Sequence, residues 1–125
     1  MITSAAVLAF LVLAGLAVFQ LLLVAGRPWG RFAWGGQHEV LPPRLRIGSV
    51  VSLVVYAVIA AVVLQAGGRA ELLPGGFVEV GIWVITGYFV LGIALNAMSR
   101  SRPERLVMTP VAALLAGCCL VVALG

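Results

Sequence analysis

Four long apolar runs fill almost the whole chain, at about 2–25, 47–66, 77–97 and 106–124. Each is about 19–24 residues long, enough at about 1.5 Å per residue to cross a hydrocarbon core roughly 30 Å thick. None has the polar face that a helix on the surface of a soluble protein needs. The pattern predicts an all-α integral membrane protein, a four-transmembrane-helix bundle making one membrane domain over residues 1–125. The first run has no basic residue before Arg27. It is also longer than the apolar region of a signal peptide, about 7–15 residues, so it reads as a retained span.

The connectors carry the breaking signals. Gly67-Gly68 and Pro74-Gly75-Gly76 bracket the second connector. Pro42-Pro43 are expected to stop helix formation just before Arg44 and the second span. Ser101, Pro103 and Glu104 give an S-x-x-E capping box with an early proline at the opening of the fourth. The first connector, 26–46, is richer. It contains the sole histidine, two of the three tryptophans and four of the eight arginines, with glycines and prolines in place of a serine-rich linker. It reads as a folded cytoplasmic loop lying on the bundle, turned at Gly35-Gly36 and anchored by Phe32 and Trp34.

Charge then sets the orientation. Arg27, Arg31, Arg44 and Arg46 lie in the first connector and Arg100, Arg102 and Arg105 in the third, whereas the second has Arg69 beside Glu71. Seven arginines against one place the first and third connectors in the cytoplasm and both termini outside, in a single orientation in the cell membrane. A net charge of +4 would suggest nucleic acid in a soluble protein. Here the arginines flank spans, so topology and anionic headgroups account for them, and no nucleic-acid partner is expected. Only 10% of residues are charged, against about 25% in soluble domains, which leaves no room for a separate soluble domain.

Polar side chains within the runs are few, and lipid cannot satisfy them. Gln20, Ser49, Ser52, Asn96 and Thr109 all fall near the cytoplasmic ends of their spans and are expected to form one polar layer there. Ser49, Ser52 and Tyr56 share a helical face by their spacing, as do Tyr88, Gly92 and Asn96; both stripes read as helix-contact surfaces. Glu79 reads as an interfacial residue favoured by the helix dipole.

Candidate chemistry is sparse. His38-Glu39 lacks the second histidine of an H-E-x-x-H site, so no metal or cofactor is expected. Cys118 and Cys119 are adjacent, about 100° apart on a helix, and are expected to pack rather than bridge. The leading expectation is an accessory or lipid-associated membrane protein. Its cytoplasmic face would bind a phosphate or anionic headgroup through Arg31, His38, Arg44, Arg46 and Arg100, since guanidinium groups hold such oxygens in bidentate fashion. Anionic membrane lipids and further copies of the chain are the expected partners. The alternatives are an oligomeric transporter or channel, and a membrane enzyme acting through His38 and Glu39 on a lipid-linked substrate.

Overall fold

A computed structural model of the chain describes residues 2–68 and 73–125; Arg69 and Glu71, used in the charge count above, lie outside the described residues. Four helices make up the fold: α1 (Ile2–Val24), α2 (Pro43–Ala66), α3 (Gly75–Ala97) and α4 (Arg102–Leu124). All four are long and apolar enough to cross a membrane. Successive helices run in opposite directions. At one end, here the terminal end, the Thr3 hydroxyl donates to the Gly67 carbonyl at 3.4 Å. At the other, the loop end, the α1–α2 connection meets the start of α4.

Two helix starts differ from expectation, and a third follows its capping box. α2 begins at Pro43, four residues before the expected 47, because a proline in the first turn lacks only a donor that would have no partner anyway. The pair read as a stop is thus the N-cap and first residue of the helix. α3 takes in Gly75 and Gly76, which were read as loop. α4 starts at Arg102, and the Ser101 hydroxyl accepts from the Glu104 N–H at 3.5 Å.

Packing is uneven. α3 with α4 and α1 with α2 make the most extensive interfaces, α1 also meets α4, and α2 with α3 form the thinnest contact of consecutive helices. The main core lies toward the terminal end, where Ala6, Leu13, Val62, Val63, Ile82 and Cys119 are buried together. Cys118 and Cys119 are free thiols within it. Gln65 closes that end by gripping Leu73 across the α2–α3 connection, donating to its carbonyl and accepting its N–H at 2.7 Å.

The α1–α2 connection holds two short 3-10 turns, Gly30–Phe32 and Trp34–Gly36. The Gly30 N–H donates to the Glu39 carbonyl at 2.8 Å, and a Cβ on Gly30 would sit 1.9 Å from the His38 carbonyl oxygen, so only glycine fits there. Trp34, Gly35 and Gly36 are all left-handed, with φ of 53°, 75° and 72°. A tryptophan in that conformation is strained, and surrounding contacts must hold it. Leu23, Ala33 and Leu41 form a small second core beneath the connection, with Phe19 and Leu45 against it.

Candidate functional site

A cavity of about 490 Å³ lies in the loop-end half of the bundle, under Trp34 and Gly35. Every helix contributes polar side chains to its wall: Gln20 from α1, Ser52 and Tyr56 from α2, Asn96 from α3 and Glu104 from α4. Its wall includes residues of α2 and α3, the consecutive helices that meet least. On its α3 side, Tyr88, Leu91 and Leu95 are lining residues that are also exposed. The cavity therefore has its mouth on the flank of the bundle.

Two acceptors stand out in the wall. Gln20 is 7% exposed; its Nε2 donates to the Tyr56 hydroxyl at 3.4 Å, while its Oε1 is buried with no partner. Glu104 is 8% exposed, and its Oε2 accepts the Gly35 N–H at 3.4 Å. In a reciprocal capping box that carboxylate would return to the N-cap N–H. Here the Ser101 N–H goes instead to the Ser99 hydroxyl at 3.1 Å, and Glu104 turns toward the α1–α2 connection.

Aromatic rings supply much of the remaining wall. Phe19 meets Phe32 edge to face at 6.5 Å, and Tyr88 leans on Phe89 at 5.2 Å. The Arg31 guanidinium lies 5.0 Å from the Phe32 ring centre. Trp34 is held over the cavity by its indole N–H, which donates to the Ser49 hydroxyl at 3.3 Å. Gly48 provides the berth, since a Cβ there would come within 2.8 Å of the indole.

The residues expected from sequence divide into separate groups. Gln20, Ser52 and Asn96 of the polar layer meet at the cavity. Ser49 is fully buried beneath Trp34, and Thr109 is away from the lining with its hydroxyl buried and unpartnered. Both helical stripes point to the cavity: Ser52 and Tyr56 on α2, Tyr88, Gly92 and Asn96 on α3. Among the expected anion ligands, Arg31, Arg44 and Arg100 are exposed at the loop end and none lines the cavity. Arg46 is engaged within its own connection, its Nε donating to the Leu41 carbonyl at 2.8 Å and its guanidinium lying beside Gly26. His38 is half-buried and Glu39 exposed, both outside the lining. Among the described residues no group of three or more His, Cys, Asp or Glu side chains could hold a metal ion.

Sequence reasoning assigned Glu104 to helix capping and missed it as a cavity residue. The signal was present: Glu104, Met108, Val111 and Leu115 recur at spacings of four, three and four, which sets them on one face of α4. Pro110 inside α4 was also missed. It lacks the N–H that would reach the Leu106 carbonyl, which frees an acceptor in mid-helix.

No family model, curated protein or solved structure matches the chain.

Proposed function

We propose that the protein is a lipid-associated accessory protein of the cell membrane that holds one amphipathic molecule in the loop-end cavity. The flank mouth carries this reading. A pocket with polar groups inside and exposed apolar residues on the lipid side suits a molecule arriving from the bilayer with its polar head leading. In the orientation that accompanies this reading, the arginine-rich connectors face the cytoplasm, both termini lie outside, and the α1–α2 connection acts as a folded cap. Arg31, Arg44 and Arg100, exposed at the loop end, would then meet phosphate oxygens, joined by His38; Arg46 contributes less because Leu41 holds it.

The test is lipid retention by the full chain in dodecyl maltoside, read by native mass spectrometry. Gly92→Leu adds a side chain to the cavity wall where a Cβ would meet only the Ala112 methyl at 3.9 Å. Retained lipid should fall at least about threefold while the protein stays monodisperse, since occupying a preformed pocket removes the contacts that define it. Equal retention by the wild type and this variant would reject the cavity as the site. Orientation is tested with single cysteines at positions 37 and 72 in a cysteine-free background. Labelling of position 37 from outside intact cells would reverse the assignment.

A further inference from the structure

We infer that the cavity recognises a cationic ammonium group on its ligand, through the Glu104 carboxylate, the Gln20 amide oxygen and the surrounding aromatic faces. This rests on the reading of the cavity as a binding site and names the chemistry that the site selects.

The hydrogen-bond ledger of the wall leads there. Three of its donors are spent on the protein: the Trp34 indole N–H on Ser49, the Ser52 hydroxyl on the Gly48 carbonyl at 3.1 Å, and a Gln20 N–H on Tyr56. Its acceptors are not. The Gln20 side chain is more than nine-tenths buried, and its Oε1 has no partner. A carboxylate offers about four lone-pair sites. Glu104 fills one of them with a single long bond from Gly35. The hydroxyls of Tyr56 and Tyr88 and the Asn96 carboxamide can serve either way. A ligand that brings donors and positive charge completes this wall, and one that brings an anion leaves both acceptors stranded.

Two further observations agree. The rings of Phe19, Phe32, Tyr56, Tyr88 and Phe89 border the same space, and aromatic faces attract ammonium groups within about 6 Å. Phe32 already attracts one cation in this fold, the Arg31 guanidinium. Among the described residues no arginine lines the cavity, so no cation of the chain pairs with Glu104 there. The helix dipole accounts for an acidic residue in the first turn of α4. It does not account for burial of that carboxylate in a wall that also holds a residue of α1 with an unpartnered acceptor. Phosphate on the same ligand would remain at the rim, with the exposed arginines.

The ammonium could belong to an aminophospholipid headgroup or to a free lipophilic amine. Dodecylammonium, which brings three N–H donors with its charge, and dodecyl phosphate, which shares its tail, separate cation from anion when titrated into the purified full chain in dodecyl maltoside with tryptophan fluorescence as the readout. The cation should bind at least about tenfold tighter, as expected for a desolvated charge against aromatic faces and a carboxylate. Glu104→Gln keeps an acceptor for the Gly35 N–H and a residue suited to the capping box, and it should abolish that preference; Gln20→Leu should reduce it. Gly92→Leu should weaken both probes. Native mass spectrometry after exchange into mixed phosphatidylethanolamine and phosphatidylglycerol distinguishes the sources. Preferential retention of phosphatidylethanolamine indicates a lipid headgroup, whereas retention of neither alongside tight cation binding indicates a free amine. Dodecyl phosphate binding as tightly as the cation to the wild type overturns the inference, and this comparison needs no variant to fold. Loss of both probes in Gly92→Leu with no preference in the wild type removes the ammonium inference alone. No effect of Gly92→Leu on either probe removes the cavity reading beneath it.

Discussion

Toward the terminal end, Ala6 and Ala9 of α1 sit against Val62 and Val63 of α2 and Cys119 and Val122 of α4 in a dry core. Toward the loop end, the same helices part around a cavity walled by rings, amides and a carboxylate. The contrast follows from side-chain size and polarity. Lipid tails are as apolar as leucine, so helices in a membrane associate through close van der Waals fit and hydrogen bonds rather than through the hydrophobic effect. Alanine, valine and cysteine permit close approach. Phe19, Trp34 and Tyr88 are bulkier and border the open space of the loop end, while Phe89 and Tyr56 join that space to the packed core.

The largest separation between the halves should appear on removing leucine side chains. Leu13 is 2% exposed in the dry core, whereas Leu95 is an exposed residue at the cavity mouth. Leu13→Ala should cost about 2 kcal/mol, from a void of about 80 Å³ at about 24 cal/mol per Å³, because the transfer contribution largely vanishes in lipid. Leu95→Ala should change stability by less than about 0.5 kcal/mol, in line with exposed substitutions generally. Steric trapping or unfolding in mixed micelles measures both, and equal costs would erase the distinction between a packed half and an open one.

A smaller effect is expected within the α1–α2 connection. A Cβ at Gly35 would meet no atom within 4 Å, so Gly35→Ala probes the left-handed backbone rather than space. It should cost about 1 kcal/mol. Hydrogen exchange should quicken in the α1–α2 connection and stay unchanged around Val62 and Val63. Faster exchange at both places would show that the two halves are coupled as one cooperative unit.

The smallest stability change should come from Gln20→Leu, and it sharpens the comparison most. Gln20 makes one long hydrogen bond and buries one unpartnered oxygen. Membrane hydrogen bonds average about 0.6 kcal/mol, and burying an orphan acceptor offsets a gain of that size. Stability should stay within about 0.5 kcal/mol of the wild type, as for substitutions away from packing and networks, while binding of dodecylammonium falls. A residue that matters for binding and not for folding marks the open half as a site; a marked loss of stability with no change in binding would mark it as structure.

Much of the architecture was legible along the chain because span length and breakers are local properties. The start of α2 was not, because Pro43 carries the same local signal whether it stops a helix or begins one; what distinguishes them is whether its missing N–H would have had a partner. The stripes at Ser52 and Tyr56 and at Tyr88, Gly92 and Asn96 were correctly grouped by helical spacing, yet read as contacts between helices. They make such contacts, since Tyr56 meets Gln20 of α1 and Gly92 lies close to Ala112 of α4, and the same residues also border the cavity. Arg46 was counted with its neighbours as a free cation, and only the path of the connection brings Leu41 within its reach.

The sequence alone determined four helices long and apolar enough to cross a membrane, the capped start of α4 and the crowding of arginines around the first and third connectors. Those properties depend on residue type and on neighbours a few positions away. Tertiary structure alone decided which side of each helix faces its partners, that Glu104 and Gln20 border one cavity, and that Trp34 closes over it. A soluble helix announces its buried side by contrast between apolar and polar faces. A helix apolar all round carries no such contrast, so its orientation follows from how its small and large side chains fit those of the other three, and that fit exists only in the assembled bundle.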